Sequence, residues 1–295
     1  MLQVNLKSQI SNLKSTDGVL WYNNKRPTPD NPNHKMKRRQ LIRYAQTGLL
    51  AAFFTGLPSG WESYQAQTAD SLSVQWLGHT CFLFAGGGAR VLVNPFRPLG
   101  CTAGYRSPKV PTDLILISSR LLDEGAIDGF SGNPGLLYEP GAYRSNGLQI
   151  QGIRTQKDRE GGRRFGVNVA WLWQQAGVKI LHLGGVAGPI GIEEQILIGR
   201  PDVVLIPVGG GPKAYTPAEA KQTLQLLKPK MVIPTHFKTQ AADAAACDLV
   251  PLDEFLALME GTPVRRLNND TISIKSADLP QTGSVIEVLS YRFSG

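Results

Sequence analysis

Histidine and cysteine are scarce in this chain of 295 residues, which has four of one and three of the other. The cysteines, Cys81, Cys101 and Cys247, are odd in number and form no C-x-x-C pair. Neither a disulfide framework nor a zinc knuckle is therefore expected, and Cys81 reads as a small apolar strand residue. No apolar run approaches the ~20 residues that span a bilayer as a helix. There is no G-x-S-x-G elbow for a serine hydrolase. Gly209-Gly210-Gly211 is not followed by the Gly-Lys-Ser/Thr of a phosphate loop, and Gly184-Gly185-Val186-Ala187-Gly188 has no dinucleotide-binding context. Aromatic and basic side chains are not interleaved, so no nucleic-acid partner is expected.

Charge is unevenly spread. The formal net charge is +8. Residues 1–66 hold nine Lys/Arg against three Asp/Glu, which accounts for six of those charges and leaves +2 for the rest. That remainder is ordinary for a globular surface. The basic segment is more specific: Arg38-Arg39, then Leu41-Ile42, then the uncharged stretch Gly48 to Leu57. This pattern resembles a twin-arginine (Tat) export signal, with small residues at Ala66 to Ala69 for cleavage. It divides the chain into a polar extension over 1–35, a Tat-like segment and linker over 36–69, and a domain over 70–295. Either translation begins at Met36 or the signal lies inside an extension. The expected destination is a bacterial periplasm or a thylakoid lumen, with membrane contact only through the signal.

Within the domain, apolar runs over 72–93 are split by Gly78 and by Gly86-Gly87-Gly88, which predicts consecutive short strands with a tight turn. Runs at 114–117, 147–153, 167–173, 178–183 and 203–208 predict five more. Thr216-Pro217 with Glu219 predicts a helix start, Ala220, Leu224 and Leu227 recur at helical spacing, and Pro229 ends it. Met231-Val232-Ile233 predicts a strand that delivers His236 to a loop. Arg159 to Arg164 reads as a solvated hairpin loop.

Several of these segments together resemble the metallo-β-lactamase superfamily, specifically its lactonase-like Zn-dependent hydrolase branch. They are Val74-Gln75-Trp76-Leu77-Gly78-His79 with its following strand, Arg90 to Phe96, Gly147 to Thr155, Lys179 to Gly185, and Asp202 to Thr239. The resemblance spans roughly residues 72–275 in one order. It implies an α+β fold, a four-layer αββα metallo-β-lactamase-like sandwich. It also implies where metal ligands belong. Asp113 to Asp128 occupies the strand-then-loop layout of the HxHxDH motif, with Ser119, Leu121 and Glu124 at the three histidine positions and only Asp123 retained. A later histidine position falls on Lys157, and the bridging aspartate position falls on Gly185. Leu121 has no donor atom, and Lys157 carries a positive charge, so a dinuclear site held by imidazole and carboxylate is not expected.

What remains of the implied ligand set is Asp123, Glu124 and His236. His79 and His182 match family residues outside the metal shell and read as structural, hydrogen-bonded to backbone. Clustered carboxylates without a metal need another counter-charge, and a Lys157–Asp123 ion pair is the expected substitute. The leading expectation is a non-catalytic pseudoenzyme: an exported binding, assembly or scaffold protein with no cofactor and a protein partner. A residual hydrolase with one divalent ion (zinc, manganese or iron) at Asp123, Glu124 and His236 is the second reading. A small-anion pocket lined by Arg120 and Lys157 is the third.

Overall fold

A computed structural model describes residues 71–293. The Tat-like pair Arg38-Arg39, the cleavage region and both N-terminal segments lie outside the described residues. Strands β1 (Leu72–Gly78), β2 (Cys81–Gly86) and β3 (Ala89–Val93) form an antiparallel meander. β4 (Leu114–Leu116) and β5 (Gly135–Leu137) extend it in parallel. A second sheet begins as an antiparallel run of β6 (Gly141–Ser145), β7 (Leu148–Gln156), β8 (Val167–Gln175) and β9 (Val178–His182). It continues in parallel through β10 (Val203–Pro207), β11 (Met231–Thr235), β14 (Val285–Val288) and β12 (Val264–Arg266). β13 (Thr271–Ile274) returns to the first sheet beside β1. The sheets have six and eight strands.

Local chemistry sets the tight turns. Asn146-Gly147 joins β6 to β7 with φ of 50° and 77°, and Gly87-Gly88 joins β2 to β3 with 57° and 81°. Two consecutive positive φ values match the right-handed twist of the flanking strands, and Asn and Gly tolerate them best.

The all-apolar runs belong to strands buried on both faces. In β10, Val203 and Leu205 enter the core between the sheets, and Val204 and Ile206 enter a second core. Trp171 and Trp173 of β8 fill the first core beside Phe82 and Phe84. Helices α1 (Ile192–Ile198), α2 (Pro217–Leu227) and α3 (Leu252–Leu258) bury Ile198, Ala220, Leu224, Leu227, Leu252 and Phe255 in the second core. Full burial of a Leu or Phe contributes about 1.5–3 kcal/mol. All three helices thus supply one outer layer, over the larger sheet. The expected α2 start is present as a capping box: Glu219 N donates to Thr216 Oγ1 at 3.3 Å and Thr216 N to Glu219 Oε2 at 2.7 Å. The helix ends at Lys228, φ 46°, just before Pro229. β5, β6, β12, β13, β14, α1 and α3 were not among the expected elements.

The expectation of no disulfide is corrected. Cys101 and Cys247, 146 residues apart, are bonded with Cα atoms 4.7 Å apart, while Cys81 is free and buried. The loops they join are also tied by Gly104 N to Ala241 O at 2.8 Å and Asp243 N to Gly100 O at 3.0 Å. Only the fold brings these cysteines together, so spacing could not reveal them. Closing so long a loop restricts the unfolded chain, an effect typically worth about 2–4 kcal/mol. Cys247→Ser or full reduction is expected to lower the melting temperature in calorimetry, and Cys81→Ser is expected to leave the reductant response intact. Among the described residues no helix is long and apolar enough to cross a membrane.

Candidate functional site

Loops at one edge of the sandwich carry the site. The β4 strand runs into Ser118 and Ser119, and this stretch is pinned to both sheets. Ser118 N donates to Asn94 Oδ1 at 2.8 Å, and Val169 N donates to Ser118 O at 2.8 Å. A turn closed by Glu124 N to Leu121 O at 3.0 Å then presents Asp123 and Glu124. Lys157 follows the end of β7, Gly185 follows β9, Lys213 follows β10 and His236 follows β11. His79 sits in the β1–β2 turn. Both His79 and His236 have φ of 53°, a conformation uncommon outside glycine that a surrounding fold must hold in place.

The expected Lys157–Asp123 pair is corrected, because each carboxylate takes a different lysine. Lys157 Nζ is paired with Glu124 Oε2, and both side chains are fully buried, 0% exposed. Ser119 Oγ donates to the same oxygen at 2.9 Å. Lys213 Nζ bonds Asp123 Oδ2 at 2.5 Å, with 27% and 14% of the two side chains exposed. Asp123 and Glu124 are adjacent in sequence, but the turn sends their carboxylates to lysines on separate loops. Sequence reasoning missed Lys213, whose one available signal was its place just after the glycine turn.

Two positive and two negative charges therefore balance within the site. Burial pushes the Asp123 carboxyl up, but Lys157 and Lys213 overcome this and hold it below the usual range. Burial lowers the Lys213 ammonium, and Asp123 more than reverses this and raises it. His236 is driven well below its ordinary value by burial, then by His79, Lys157 and Lys213. Burial takes His79 to about 4, with Asp123 opposing the shift and the two lysines adding to it. The imidazoles are therefore neutral at pH 7, and the lysines alone offset the carboxylates.

His182 behaves as expected of a structural residue. Its Nε2 lies 3.0 Å from Thr80 O, and Gly184 N donates to its Nδ1 at 3.1 Å. At His79, Nε2 is buried without a hydrogen-bond partner, and the ring lies against His236 with centroids 4.1 Å apart and planes tilted by 53°. The anion pocket expected between Arg120 and Lys157 is not formed. Lys157 is sealed in, while Arg120 is 60% exposed and lies 3.8 Å from Glu139. The Arg159–Arg164 loop is more ordered than a solvated hairpin, because the Asp158 carboxylate accepts the backbone N–H groups of Glu160, Gly162, Arg164 and Phe165. Arg159 also bonds Glu219 at the start of α2.

Whether a divalent metal suits these residues turns on the lysines. Of Asp123, Glu124 and His236, the last two approach each other, with His236 Nδ1 3.8 Å from Glu124 Oε1. Asp123 Oδ1, Glu124 Oε1 and His236 Nδ1 are buried without hydrogen-bond partners. Yet each carboxylate already carries an ammonium on its other oxygen, and a dication would meet two fixed positive charges. The bridging position is filled as well. A Cβ built on Gly185 falls on Lys157 Nζ, 2.5 Å from Glu124 Oε1 and 3.1 Å from Lys213 O. Among the described residues no three His, Cys, Asp or Glu side chains group as a metal cage. The residues present do not fit a metal.

Comparison with known proteins places these observations in a family. A protein from Archaeoglobus fulgidus named UPF0173 metal-dependent hydrolase is 25% identical over 200 residues, covering 57% of this chain and 84% of that protein. A similarly named protein from Thermococcus kodakarensis is 28% identical over 194 residues, covering 57% and 85%. A solved metallo-β-lactamase superfamily structure from Thermotoga maritima aligns with a TM-score of 0.59 and 28% identity, covering 74% of this chain and all of that one. A family profile described as "Beta-lactamase superfamily domain" matches residues 73–236, from β1 to the loop holding His236. The two facing sheets, the loops that converge at one edge and that profile together make this chain a member of the beta-lactamase superfamily.

Proposed function

We propose that this protein is a non-catalytic member of its family, an exported binding or assembly protein whose own lysines occupy its former metal centre. The observation that carries this reading is the Lys157 ammonium, fully buried on Glu124 in the volume a side chain at position 185 would need. Ser119 and Leu121 remove two imidazoles, Lys157 supplies the charge, and Gly185 makes room for it. Export, to a periplasm or a thylakoid lumen, draws on the Arg38-Arg39 signal. The Cys101–Cys247 disulfide suits such an oxidising compartment, where a protein partner is the expected ligand of the assembled domain.

The second reading, a hydrolase with one divalent ion on Asp123, Glu124 and His236, draws on their three unpartnered atoms. Turnover separates the two. The purified chain is expected to hydrolyse ester, lactone and phosphodiester substrates no faster with added zinc, manganese or iron than without. Metal-stimulated turnover that disappears in His236→Ala would overturn the proposal in favour of the second reading.

A further inference from the structure

A second concavity lies beside the ion-pair cluster. It holds about 580 Å³, between the ends of β4 and β5 on one sheet and of β7 and β8 on the other. Ser119, Arg120, Tyr138, Arg154 and Phe165 form the part of its wall that carries chemistry. Its size falls within the roughly 300–1,000 Å³ typical of small-molecule sites. Arg154 is exposed and has no ion-pair partner among the described residues. Arg120 rests 5.1 Å from the Tyr138 ring centroid and 3.8 Å from Glu139, too far for a hydrogen bond. The Ser118 hydroxyl is not part of the open wall, because the residue is 1% exposed and its Oγ lies against Gly184. A cleft whose wall carries two under-used guanidinium groups is an arrangement short of an anionic acceptor.

We infer that this cleft binds a small carboxylate with a flat aromatic body. Arg120 and Arg154 against Glu139 leave one net positive charge in the wall, which matches a monoanion. A guanidinium fork presents paired N–H donors that fit a carboxylate. A bare inorganic anion would leave most of the cleft unfilled. Tyr138 and Phe165, with Val167 beside them, offer the apolar surface that a ring would cover. Arg164, 4.8 Å from the Phe165 ring centroid, adds to the positive field. Ser119 ties the cleft to the former metal centre, because its hydroxyl is held by Glu124 while its residue lines the wall. The inference rests on reading the domain as a binding protein.

The test is titration of the full chain with 2-naphthoate, followed by its fluorescence and by calorimetry. Saturable binding at one site per chain is expected. Arg154→Gln and Arg120→Gln should each weaken it about tenfold, as loss of a hydrogen bond to a charged group implies. The uncharged 2-naphthalenemethanol should bind comparably weakly, and Lys221→Gln, on another face, should change nothing. Both arginines are exposed, so circular dichroism should show the variants folded. No saturable binding by the native chain, or undiminished binding by the double arginine variant, would overturn the inference. Either result leaves the metal-free reading of the neighbouring centre standing. Binding as expected together with metal-dependent cleavage of methyl 2-naphthoate would instead support the cleft and overturn the non-catalytic proposal.

Discussion

Lys157→Met is expected to destabilise the domain by about 3–5 kcal/mol, because removing one member of a buried ion pair leaves the other charged and uncompensated. For a domain of this size that corresponds to a fall of about 10 °C in melting temperature. The stranded group is Glu124, fully buried and left with Ser119 Oγ as its hydrogen-bond donor. The double variant Lys157→Met with Glu124→Leu should recover most of the loss, since a buried pair replaced by apolar groups of similar volume is often neutral. Calorimetry of both single variants and the double one measures the coupling directly. A single variant as stable as the native chain would show that the pair does not hold the site. Exposed pairs such as Arg266–Asp253 provide the contrast, because surface ion pairs contribute only about 0–1 kcal/mol.

The second large effect is expected at Gly185. The smallest possible addition, Gly185→Ala, places a Cβ on the Lys157 ammonium. The lysine must withdraw from the place in which it bonds Glu124 Oε2. The loss should therefore approach that of breaking the Lys157–Glu124 pair itself, again about 3–5 kcal/mol. In a Lys157→Ala background the clash with the ammonium is gone and the remaining close approaches are to Glu124 Oε1 at 2.5 Å and Lys213 O at 3.1 Å, so the same substitution should add less. Such a dependence marks two positions that are compatible only in certain combinations. Equal destabilisation by Gly185→Ala in both backgrounds, measured by chemical denaturation, would show that the glycine is needed for a reason other than the lysine.

What the sequence made legible and what it hid follow from the range of each interaction. The strands that were read correctly, such as β10, are buried on both faces and therefore continuously apolar. The missed β12 is a short exposed edge strand, without the periodicity that burial imposes. α2 was legible from its cap and its Pro229 stop, both local. Ser119, Leu121, Glu124, Lys157 and Gly185 could be singled out in the sequence because each lies at or just beyond the end of an apolar strand run. Which lysine meets which carboxylate could not be read, because Lys157 and Lys213 arrive on loops whose courses are set by tertiary packing. The same holds for Cys101 and Cys247, which are neighbours only once both loops are folded. The contact between the His79 and His236 rings could not be read either, because it joins the β1–β2 turn to the loop after β11.

The pattern across the site is of linked replacements. Losing imidazoles alone would have left Asp123 and Glu124 as buried carboxylates with no counter-charge. Two ammonium groups now neutralise them, and the absent side chain at 185 gives one of those groups its space. On the proposed reading, such a centre keeps the loop architecture of the family and uses the chain's own cations where relatives named metal-dependent hydrolases would use a metal.

The most direct measurement is the metal content of the native chain, purified without chelator from cells grown with zinc, manganese and iron, and read by plasma mass spectrometry. Only trace metal is expected, with a melting temperature unchanged by chelator. Near-stoichiometric metal, lost together with stability in His236→Ala, would contradict it.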